Sequence, residues 1–383
     1  MTIGFSSRLA IACAALWAIG VPTAPAQGLA VAEDPAPPSR TASPLYGAGT
    51  QVRRGPGAPA LPDEVSALSW LVADVDSGVV LAAHDAHRRL PPASTLKALF
   101  ALTVLPVLPG NVRHTVRESD LAGVEAGSSL VGVTANHTYS AADLWHGVFL
   151  NSGNDAVRVL AAMHGGWRTT AAEMQRKARQ LGALDTRVVS PDGFDAPGQV
   201  SSAYDLALFG RAGLRNADFA RYCAKPAAMF PAKGRSYQIQ NTNRLLTGAD
   251  GVKPYPGIVG VKNGYTSGAG NTLIAAARRD GRTLIVTVLN PQTGGGFAVY
   301  EEARALLDWG FEAAGRVRAV GSLEPRSTVA RPGPTARPAA ALPSGNKAPG
   351  WPEAGAIAGA AALGAGATGM ALRGWKGPRP TRD

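Results

Sequence analysis

The sequence Pro91-Pro92-Ala93-Ser94-Thr95-Leu96-Lys97-Ala98-Leu99-Phe100 runs from two prolines into an apolar segment. Proline is common at the first position of a helix, so the pattern predicts the first turn of a buried helix. Ser94 and Lys97 are three residues apart and therefore share one face of that helix. A serine hydroxyl is a weak nucleophile at neutral pH, but a lysine whose pKa is lowered by burial can remove its proton. The segment therefore indicates a serine enzyme that works by acyl transfer.

The spacing of this serine and lysine is not specific by itself, and the chain contains a counter-example. Ser344-Gly345-Asn346-Lys347 has the same spacing, but it lies in a proline-rich stretch without an apolar helix pattern. The hypothesis therefore depends on the apolar context of Ser94.

The first 26 residues have the pattern of a secretory signal peptide. Arg8 precedes an apolar run over 9–21, and Ala24-Pro25-Ala26 fits a small-residue cleavage site. Cleavage after Ala26 would leave Cys223 as the one cysteine of the mature chain. A disulfide within one chain and a cysteine-ligated metal site are therefore not expected.

A second unusual segment lies near the other end of the chain. Residues 354–372 are 19 residues without a charge, which would measure about 28 Å as a helix. The basic segment 373–383 follows directly, as in a cytoplasmic stop-transfer end. We therefore interpret 354–372 as a single transmembrane anchor and 373–383 as a cytoplasmic tail, with the body of the protein outside. A flexible Ala/Gly-rich tail is the alternative.

The formal net charge of +11 raises the question of nucleic-acid binding. Residues 316–383 contain ten Lys or Arg and three Asp or Glu, so seven of the eleven net charges fall in this tail. No basic stripe with interleaved aromatic residues occurs, and a nucleic-acid partner is therefore not expected. Attraction to an anionic envelope or membrane surface explains the tail more simply.

Proline-rich and glycine-rich composition predicts linkers over 27–62 and 316–353, which leaves one domain over 63–315. The domain begins with a predicted β-hairpin over 67–83. Four segments with helical apolar spacing follow, and strands return near its end before a closing helix. The predicted helices are 141–150, 156–163, 170–181, 202–214 and 299–309, and the late strands are 256–262, 272–277 and 283–289. Strands at both ends of the domain around a helical insertion predict an α+β fold, with an antiparallel sheet covered by helices.

Two further short patterns occur in this domain. Ser152-Gly153-Asn154 lies between two helical segments, where a polar turn is ordinary, and Lys262-Asn263-Gly264 follows an apolar strand, where a charged end is ordinary. Their order after Ser94 is more specific, with intervals of 58 and 110 residues. Together the three patterns read SxxK, SxN and KxG.

In this order the motifs resemble those of the penicillin-recognising serine enzymes, whose fold is the β-lactamase/transpeptidase type. The chain is most similar to the D-alanyl-D-alanine carboxypeptidases of the low-molecular-weight penicillin-binding proteins. The similarity extends over nearly all of 63–315. It includes the segments Ser152-Gly153-Asn154-Asp155-Ala156, Ser190-Pro191-Asp192-Gly193-Phe194 and Asn241-Thr242-Asn243-Arg244-Leu245-Leu246.

The resemblance implies a penicillin-sensitive enzyme that removes the terminal D-Ala from peptidoglycan stem peptides ending in D-Ala-D-Ala. It implies no cofactor or metal, and it makes β-lactams the expected inhibitors. The chain would act at the cell membrane, with its catalytic domain on the wall side.

The resemblance also implies a role for each residue of the motifs. Ser94 would be the acylated nucleophile, Lys97 its base and Ser152 a proton relay. Asn154 would bind the substrate backbone and orient Lys97. The carboxylate end of the substrate would meet Lys262 and Thr266. The oxyanion would be bound by the backbone N–H groups of Ser94 and Tyr265.

The chain departs from the family pattern at Asn263, where threonine is usual, between Lys262 and Gly264. The Asn263 amide can still donate a hydrogen bond to a carboxylate, so the reaction class need not change. Some relatives carry a β-rich second domain after the catalytic one. The proline-rich segment that follows 63–315 predicts that this domain is absent here.

Three alternatives remain open at this point. A β-lactamase would share the motifs, but Glu173, the one glutamate between Ser152 and Lys262, has a helix-surface pattern. A catalytically silent wall-binding scaffold is the second alternative. A metal site at His84 and His87 is the third, although an exposed hairpin end explains these histidines more simply.

Overall fold

The computed structural model describes residues 43–324. The strands in this range are β1 (Thr50–Arg54), β2 (Ser69–Asp74), β3 (Val79–His84), β4 (Arg113–Thr115), β5 (Thr138–Ser140), β6 (Ala227–Ala232), β7 (Arg235–Gln240), β8 (Ile258–Thr266), β9 (Gly270–Arg279), β10 (Arg282–Leu289), β11 (Val317–Arg318) and β12 (Gly321–Ser322). The α-helices are α1 (Lys97–Val104), α2 (Ala141–Leu150), α3 (Asn154–Met163), α4 (Trp167–Gln180), α5 (Ala203–Leu214), α6 (Ala217–Cys223), α7 (Arg244–Thr247) and α8 (Ala298–Ala313).

The main sheet joins strands from both ends of the domain. Its order is β11-β1-β3-β2-β10-β9-β8, with β12 also paired to β3, and the pairings are antiparallel. Strands β4 with β5 and β6 with β7 form two separate ribbons. The predicted α+β fold with an antiparallel sheet is therefore confirmed.

Helices cover both faces of the sheet, and its central strands are apolar on both sides. Every residue of β2 is buried, as are all but the first of β10. Helix α8 packs with Leu273, Leu284 and Val286 on one face. Helices α1 and α5 pack with the alternate residues Ile274 and Ile285 on the other. This alternation is the period of two expected of a strand, here with an apolar layer on each side.

The helices and strands predicted between residues 67 and 309 are present, with ends that shift by a few residues. The predicted domain limits differ more. Strand β1 lies within the predicted linker 27–62, and β11 and β12 lie beyond residue 315. These short strands are held by backbone pairing with each other and with β3, which requires no apolar side chains. The amino-acid composition of these segments therefore did not predict the strands.

Several predicted segments lie outside the described residues. These are the signal peptide 1–26, the anchor 354–372 and the tail 373–383. Within 43–324, no helix is both long enough and apolar enough to cross a bilayer.

Candidate active site

Ser94 lies in a tight turn that leads into helix α1. Residues Ala93–Leu96 form a 3-10 helix rather than the predicted first α-helical turn, and α1 begins at Lys97. The carbonyl of Pro92 accepts hydrogen bonds from the hydroxyls of Thr95 (2.5 Å) and Thr272 (3.0 Å). Ala93 has a φ of 48°, in the left-handed region that non-glycine residues rarely adopt. These two side-chain bonds fix the turn, so the Ser94 hydroxyl has a defined position.

Lys97 is buried beside this hydroxyl. Its Nζ lies 2.6 Å from Ser94 Oγ and 2.7 Å from the carbonyl oxygen of Asp192, and the side chain is 1% exposed. Burial lowers the pKa of Lys97 to about 8, although the negative charges of Asp192 and Asp155 partly oppose the shift. The hydroxyl and the amine that share a helix face in the sequence prediction are therefore in hydrogen-bond contact.

The second serine and the second lysine form a similar pair. Ser152 joins α2 to α3 with a φ of 58°, and it is 7% exposed. Lys262 Nζ donates to Ser152 Oγ (3.1 Å) and to the carbonyl oxygen of Asn263 (2.7 Å). Burial, together with the positive charge of Lys97, lowers the pKa of Lys262 well below its usual range. Two buried lysines thus each contact one serine hydroxyl.

Asn154 and Asp155 begin helix α3 next to Ser152. Asn154 is 3% exposed, and its backbone N–H donates to the Ser129 carbonyl (2.7 Å). The Asp155 carboxylate accepts backbone hydrogen bonds from 131, 132 and 133 at 3.0, 2.7 and 2.8 Å. This carboxylate holds the loop over 131–133 against the start of α3. No hydrogen bond joins Asn154 to Lys97, whose Nζ contacts Ser94 and Asp192.

Strand β8 is the sheet edge that faces Ser94. Within the described residues it pairs only with β9, so its outer edge is unpaired. A Cβ placed on Gly264 would lie 2.6 Å from the backbone nitrogen of Ser94 and 3.0 Å from that of Thr95. The strand backbone therefore touches the turn that carries the serine. The predicted oxyanion donors, the N–H groups of Ser94 and Tyr265, lie on these two adjacent elements.

The remaining residues of the third motif have partners that the sequence did not predict. Thr266 donates its hydroxyl hydrogen to Asp195 (2.7 Å). The carboxylate of Asp195 also accepts from the backbone N–H of Gly268 (2.9 Å). Asn263 accepts a hydrogen bond from the hydroxyl of Thr242 (3.1 Å). These contacts fix the end of β8 and the loop after it.

Sequence reasoning assigned no role to Asp192, Asp195, Asp155 or Thr242. Asp192 acts through its backbone carbonyl, which no side-chain pattern reveals. Asp195 and Thr242 contact β8 across 71 and 21 residues of chain. Thr242 lies in a segment that the sequence analysis named only for the family resemblance, and Asp195 lies just outside another. Contacts over such separations become visible only in the fold.

Comparisons with known proteins find D-alanyl-D-alanine carboxypeptidases that are similar to this chain. Residues 56–293 match the family model described as D-alanyl-D-alanine carboxypeptidase. The D-alanyl-D-alanine carboxypeptidase DacB2 of Mycobacterium tuberculosis is 42% identical over 248 residues, which cover 64% of this chain and 82% of that protein. DacD of Escherichia coli is 33% identical over 264 residues, which cover 65% of this chain and 64% of that protein.

Solved structures give the same result. A crystal structure of a D-alanyl-D-alanine carboxypeptidase from Mycobacterium tuberculosis is similar with a TM-score of 0.64 and 39% identity, covering 70% of this chain and 99% of the other. The Streptomyces K15 DD-transpeptidase is similar with a TM-score of 0.61 and 26% identity, covering 66% of this chain and 99% of the other.

Proposed function

The chain belongs to the D-alanyl-D-alanine carboxypeptidase family, and on this premise we propose that it removes the terminal D-Ala from peptidoglycan stem peptides through an acyl-enzyme on Ser94. The observation that carries the assignment is the 2.6 Å contact between Lys97 Nζ and Ser94 Oγ, because the lysine is buried and its pKa is lowered to about 8. At pH 7 about a tenth of such a lysine is neutral and able to accept a proton.

In the first step, Ser94 Oγ attacks the carbonyl carbon of the penultimate D-Ala and its proton passes to neutral Lys97. The carbonyl oxygen becomes negative, and the backbone N–H groups of Ser94 and Tyr265 stabilise it. The contact of Gly264 with the backbone of Ser94 supports this role, since it keeps the two donors on adjacent elements.

Release of the terminal D-Ala requires a proton on its nitrogen as the C–N bond breaks. Ser152 is suited to deliver this proton, because its hydroxyl accepts a hydrogen bond from Lys262. The proton that Lys97 took from Ser94 then replaces the one lost by Ser152, which leaves Lys97 neutral again. A water molecule attacks the ester carbonyl and gives a proton to Lys97, which returns it to Ser94 Oγ as the ester bond breaks. The β-lactam ring imitates the scissile amide, but its amine stays attached after acylation and blocks the water.

We assign substrate binding to the region between strand β8 and the start of α3, where Lys262 contacts Ser152. We assign the peptide backbone to Asn154 and the edge of β8 around Gly264 and Tyr265. The terminal carboxylate is assigned to Lys262 and Asn263. A carboxylate beside Lys262 would also raise the pKa of that lysine, which burial and the positive charge of Lys97 depress. Thr266 supports the end of β8 through Asp195.

The segments predicted at the two ends of the chain would suit an enzyme of the wall. The signal peptide over 1–26 would export the domain, and the segment 354–372 would anchor it in the membrane. The linker up to residue 353 would let the domain reach stem peptides on the outer side.

The test is acylation of the purified protein by labelled penicillin, with peptide mapping of the adduct, and release of D-Ala from a peptide ending in D-Ala-D-Ala. We expect a long-lived adduct on Ser94 and release of one D-Ala per peptide. The Ser94→Ala variant should lose both activities. Ser344→Ala is the matched control, because Ser344 has the same spacing to a lysine but not the helix context, and it should keep both.

Two outcomes would contradict this assignment. An adduct that hydrolyses within seconds would indicate a β-lactamase. The absence of both adduct and D-Ala release would indicate a silent scaffold.

A further inference from the structure

The Lys97 amine contacts the loop between α4 and α5 as well as the nucleophile. Its Nζ donates to the backbone carbonyl of Asp192 (2.7 Å) and lies 2.6 Å from Ser94 Oγ. These two oxygens hold the amine in a defined place beside the serine. Because the carbonyl and the carboxylate of one aspartate are only a few bonds apart, the same contact brings a carboxylate close to the amine.

The carboxylate of Asp192 is buried and fixed. The residue is 0% exposed, and its Oδ1 accepts hydrogen bonds from the Ser190 hydroxyl (2.8 Å) and the Phe194 N–H (3.0 Å). Oδ2 is also buried, and no donor within residues 43–324 reaches it. A buried carboxylate that is only partly hydrogen-bonded needs a positive charge nearby. The Lys97 ammonium, which the carbonyl of the same aspartate contacts, supplies that charge.

The loop that carries this carboxylate packs tightly against the turn before α1. A Cβ placed on Gly193 would lie 2.0 Å from the carbonyl oxygen of Ala93, so the two backbones are in direct contact. The side chain of Gln199 crosses the loop, where Nε2 donates to the Phe194 carbonyl (2.6 Å) and Oε1 accepts from the Ser190 N–H (2.7 Å). The fold therefore fixes the separation between the carboxylate and the lysine amine.

Charged groups on several elements act on Lys97. Burial lowers the pKa of Lys97 to about 8, and of the negative charges that oppose this shift Asp192 acts most strongly. Asp155 at the start of α3 and Glu125 in the loop before it act less strongly. Lys262 on β8 is positive, and the two lysines repel each other. Asp192 is thus the acid with the greatest influence on the charge of the base.

We propose that Asp192 is a positioning residue with two actions: its carbonyl holds the Lys97 amine beside Ser94, and its buried carboxylate stabilises the protonated amine and so sets the pH range of acylation. This inference rests on the proposed function, in which neutral Lys97 takes the proton of Ser94. The carboxylate favours the charged form of the base, so it slows acylation near neutral pH. It also makes the neutral amine a stronger base at alkaline pH.

The test is the pH profile of penicillin acylation in Asp192→Asn. The amide keeps an oxygen for Ser190 and Phe194 and removes the charge with little change in shape. The pH above which the rate no longer rises should fall by about one unit. Acylation should become about threefold faster at pH 6, because more Lys97 is neutral, and about threefold slower above pH 9, because the amine is a weaker base.

Ser190→Ala is the matched control, because it removes one hydrogen bond to Asp192 and leaves the charge in place. It should change the rate by a similar factor at every pH, with the levelling pH unmoved. A purely structural role of Asp192 would give this same result in Asp192→Asn. Asp192→Ser is a second neutral variant, whose hydroxyl can accept from the Phe194 N–H, and it should lower the levelling pH as Asp192→Asn does.

The outcomes separate this inference from the proposed function. A levelling pH that stays in place or rises in both Asp192→Asn and Asp192→Ser, while the unsubstituted protein is labelled on Ser94 at a rate that rises up to pH 8, would overturn the inference alone. Failure of the unsubstituted protein to be labelled would overturn the proposed function as well.

Discussion

The catalytic groove (Ser94, Lys97, Ser152 and Lys262) and an acidic cluster around Asp205 both bury ionisable groups, with opposite electrostatic results. In the groove, burial lowers the pKa of Lys97 to about 8. In the acidic cluster, burial and the nearby charge of Asp185 raise the pKa of Asp205 to about 7. Each shift favours the uncharged form, as expected of a group removed from water.

The two regions differ in what the buried group contacts. Lys97 bonds to a serine hydroxyl beside an unpaired strand edge. Asp205 is fully buried, and it accepts hydrogen bonds from the Thr186 hydroxyl (2.7 Å) and the Asp185 N–H (2.9 Å). His87 pairs with Asp185 at 2.7 Å and stacks on Tyr46. The acidic cluster therefore joins chain segments, whereas the groove presents a hydroxyl to substrate. A shifted pKa shows that an ionisable group is buried. Whether the group takes part in catalysis is shown by the atoms that it contacts.

Of the substitutions that distinguish the two regions, Lys97→Ala is expected to have the largest effect on penicillin labelling. Without the buried amine, no base contacts Ser94, and penicillin labelling should fall by about a thousandfold. Labelling is measured by rate of adduct formation, with circular dichroism to show that the fold survives. Asp205→Asn should label at the normal rate. Normal labelling of Lys97→Ala would show that the base is assigned wrongly.

The next largest effect is expected from Gly264→Ala. The added Cβ would meet the backbone nitrogen of Ser94 at 2.6 Å and would move the Tyr265 donor on strand β8 away from the Ser94 donor. We expect acylation to slow roughly a hundredfold. Gly296→Ala is the matched control, because a Cβ there meets nothing within 4 Å. Equal acylation rates in the two variants would contradict the close approach of β8.

The pH dependence of acylation should reflect the titration of Lys97 in the groove and not that of Asp205 in the acidic cluster. Lys97 acts as a base when neutral, and its pKa is lowered to about 8. The second-order rate of penicillin acylation should therefore rise about tenfold per pH unit below pH 8 and level above it. Asp205→Asn should leave this profile in place. A flat profile between pH 6 and 8 would argue against neutral Lys97 as the base.

The smallest expected effect is on the free energy of unfolding. The folded pKa of Asp205 is raised to about 7 from 3.8, so the folded state binds more protons between these values and stability falls as pH rises through this window. The fall is at most about 1.4 kcal/mol per pH unit, and Asp205→Asn should remove it. Lys97 has the opposite effect on stability. The unfolded chain binds more protons at Lys97 than the folded protein does between pH 8 and 10.5, so the free energy of unfolding rises with pH in that range. Urea unfolding across pH 4.5–10 measures both slopes, and identical curves for the variant and the parent would contradict the assignment.

The central elements of the fold were predictable because their signals are local. The nearly continuous apolar runs of β2 and β10 and the helical spacing of 141–150 each fall within about ten residues. The ribbon of β6 and β7 was missed, because its pattern Ala-Ala-Met-Phe-Pro-Ala contains a proline and lacks alternation. Strand β1 was missed because its polar sequence Thr-Gln-Val-Arg-Arg pairs through its backbone.

The site shows the same limit. The motif order brought Ser94, Lys97, Ser152 and Lys262 into one prediction, and the structure places them in two hydrogen-bonded pairs. The partner of Thr266 could not be predicted, because Asp195 lies in a loop 71 residues away. A short motif identifies the residues that can react. The hydrogen-bond acceptor of each side chain, however, depends on which loops the fold brings next to the sheet.

The pairing of β1 with β11 brings the first and the last described segments of the domain side by side. Ser43 Oγ donates to the Val320 carbonyl (3.4 Å), and the Gly55 N–H donates to the Arg316 carbonyl (2.9 Å). A short peptide could therefore join these neighbouring segments, and the chain could be reopened at the exposed turn Lys233-Gly234 between β6 and β7. Such a circular permutant would keep every contact of the groove, and its labelling by penicillin would show that the order of the three motifs along the chain is a record of ancestry, not a condition for catalysis.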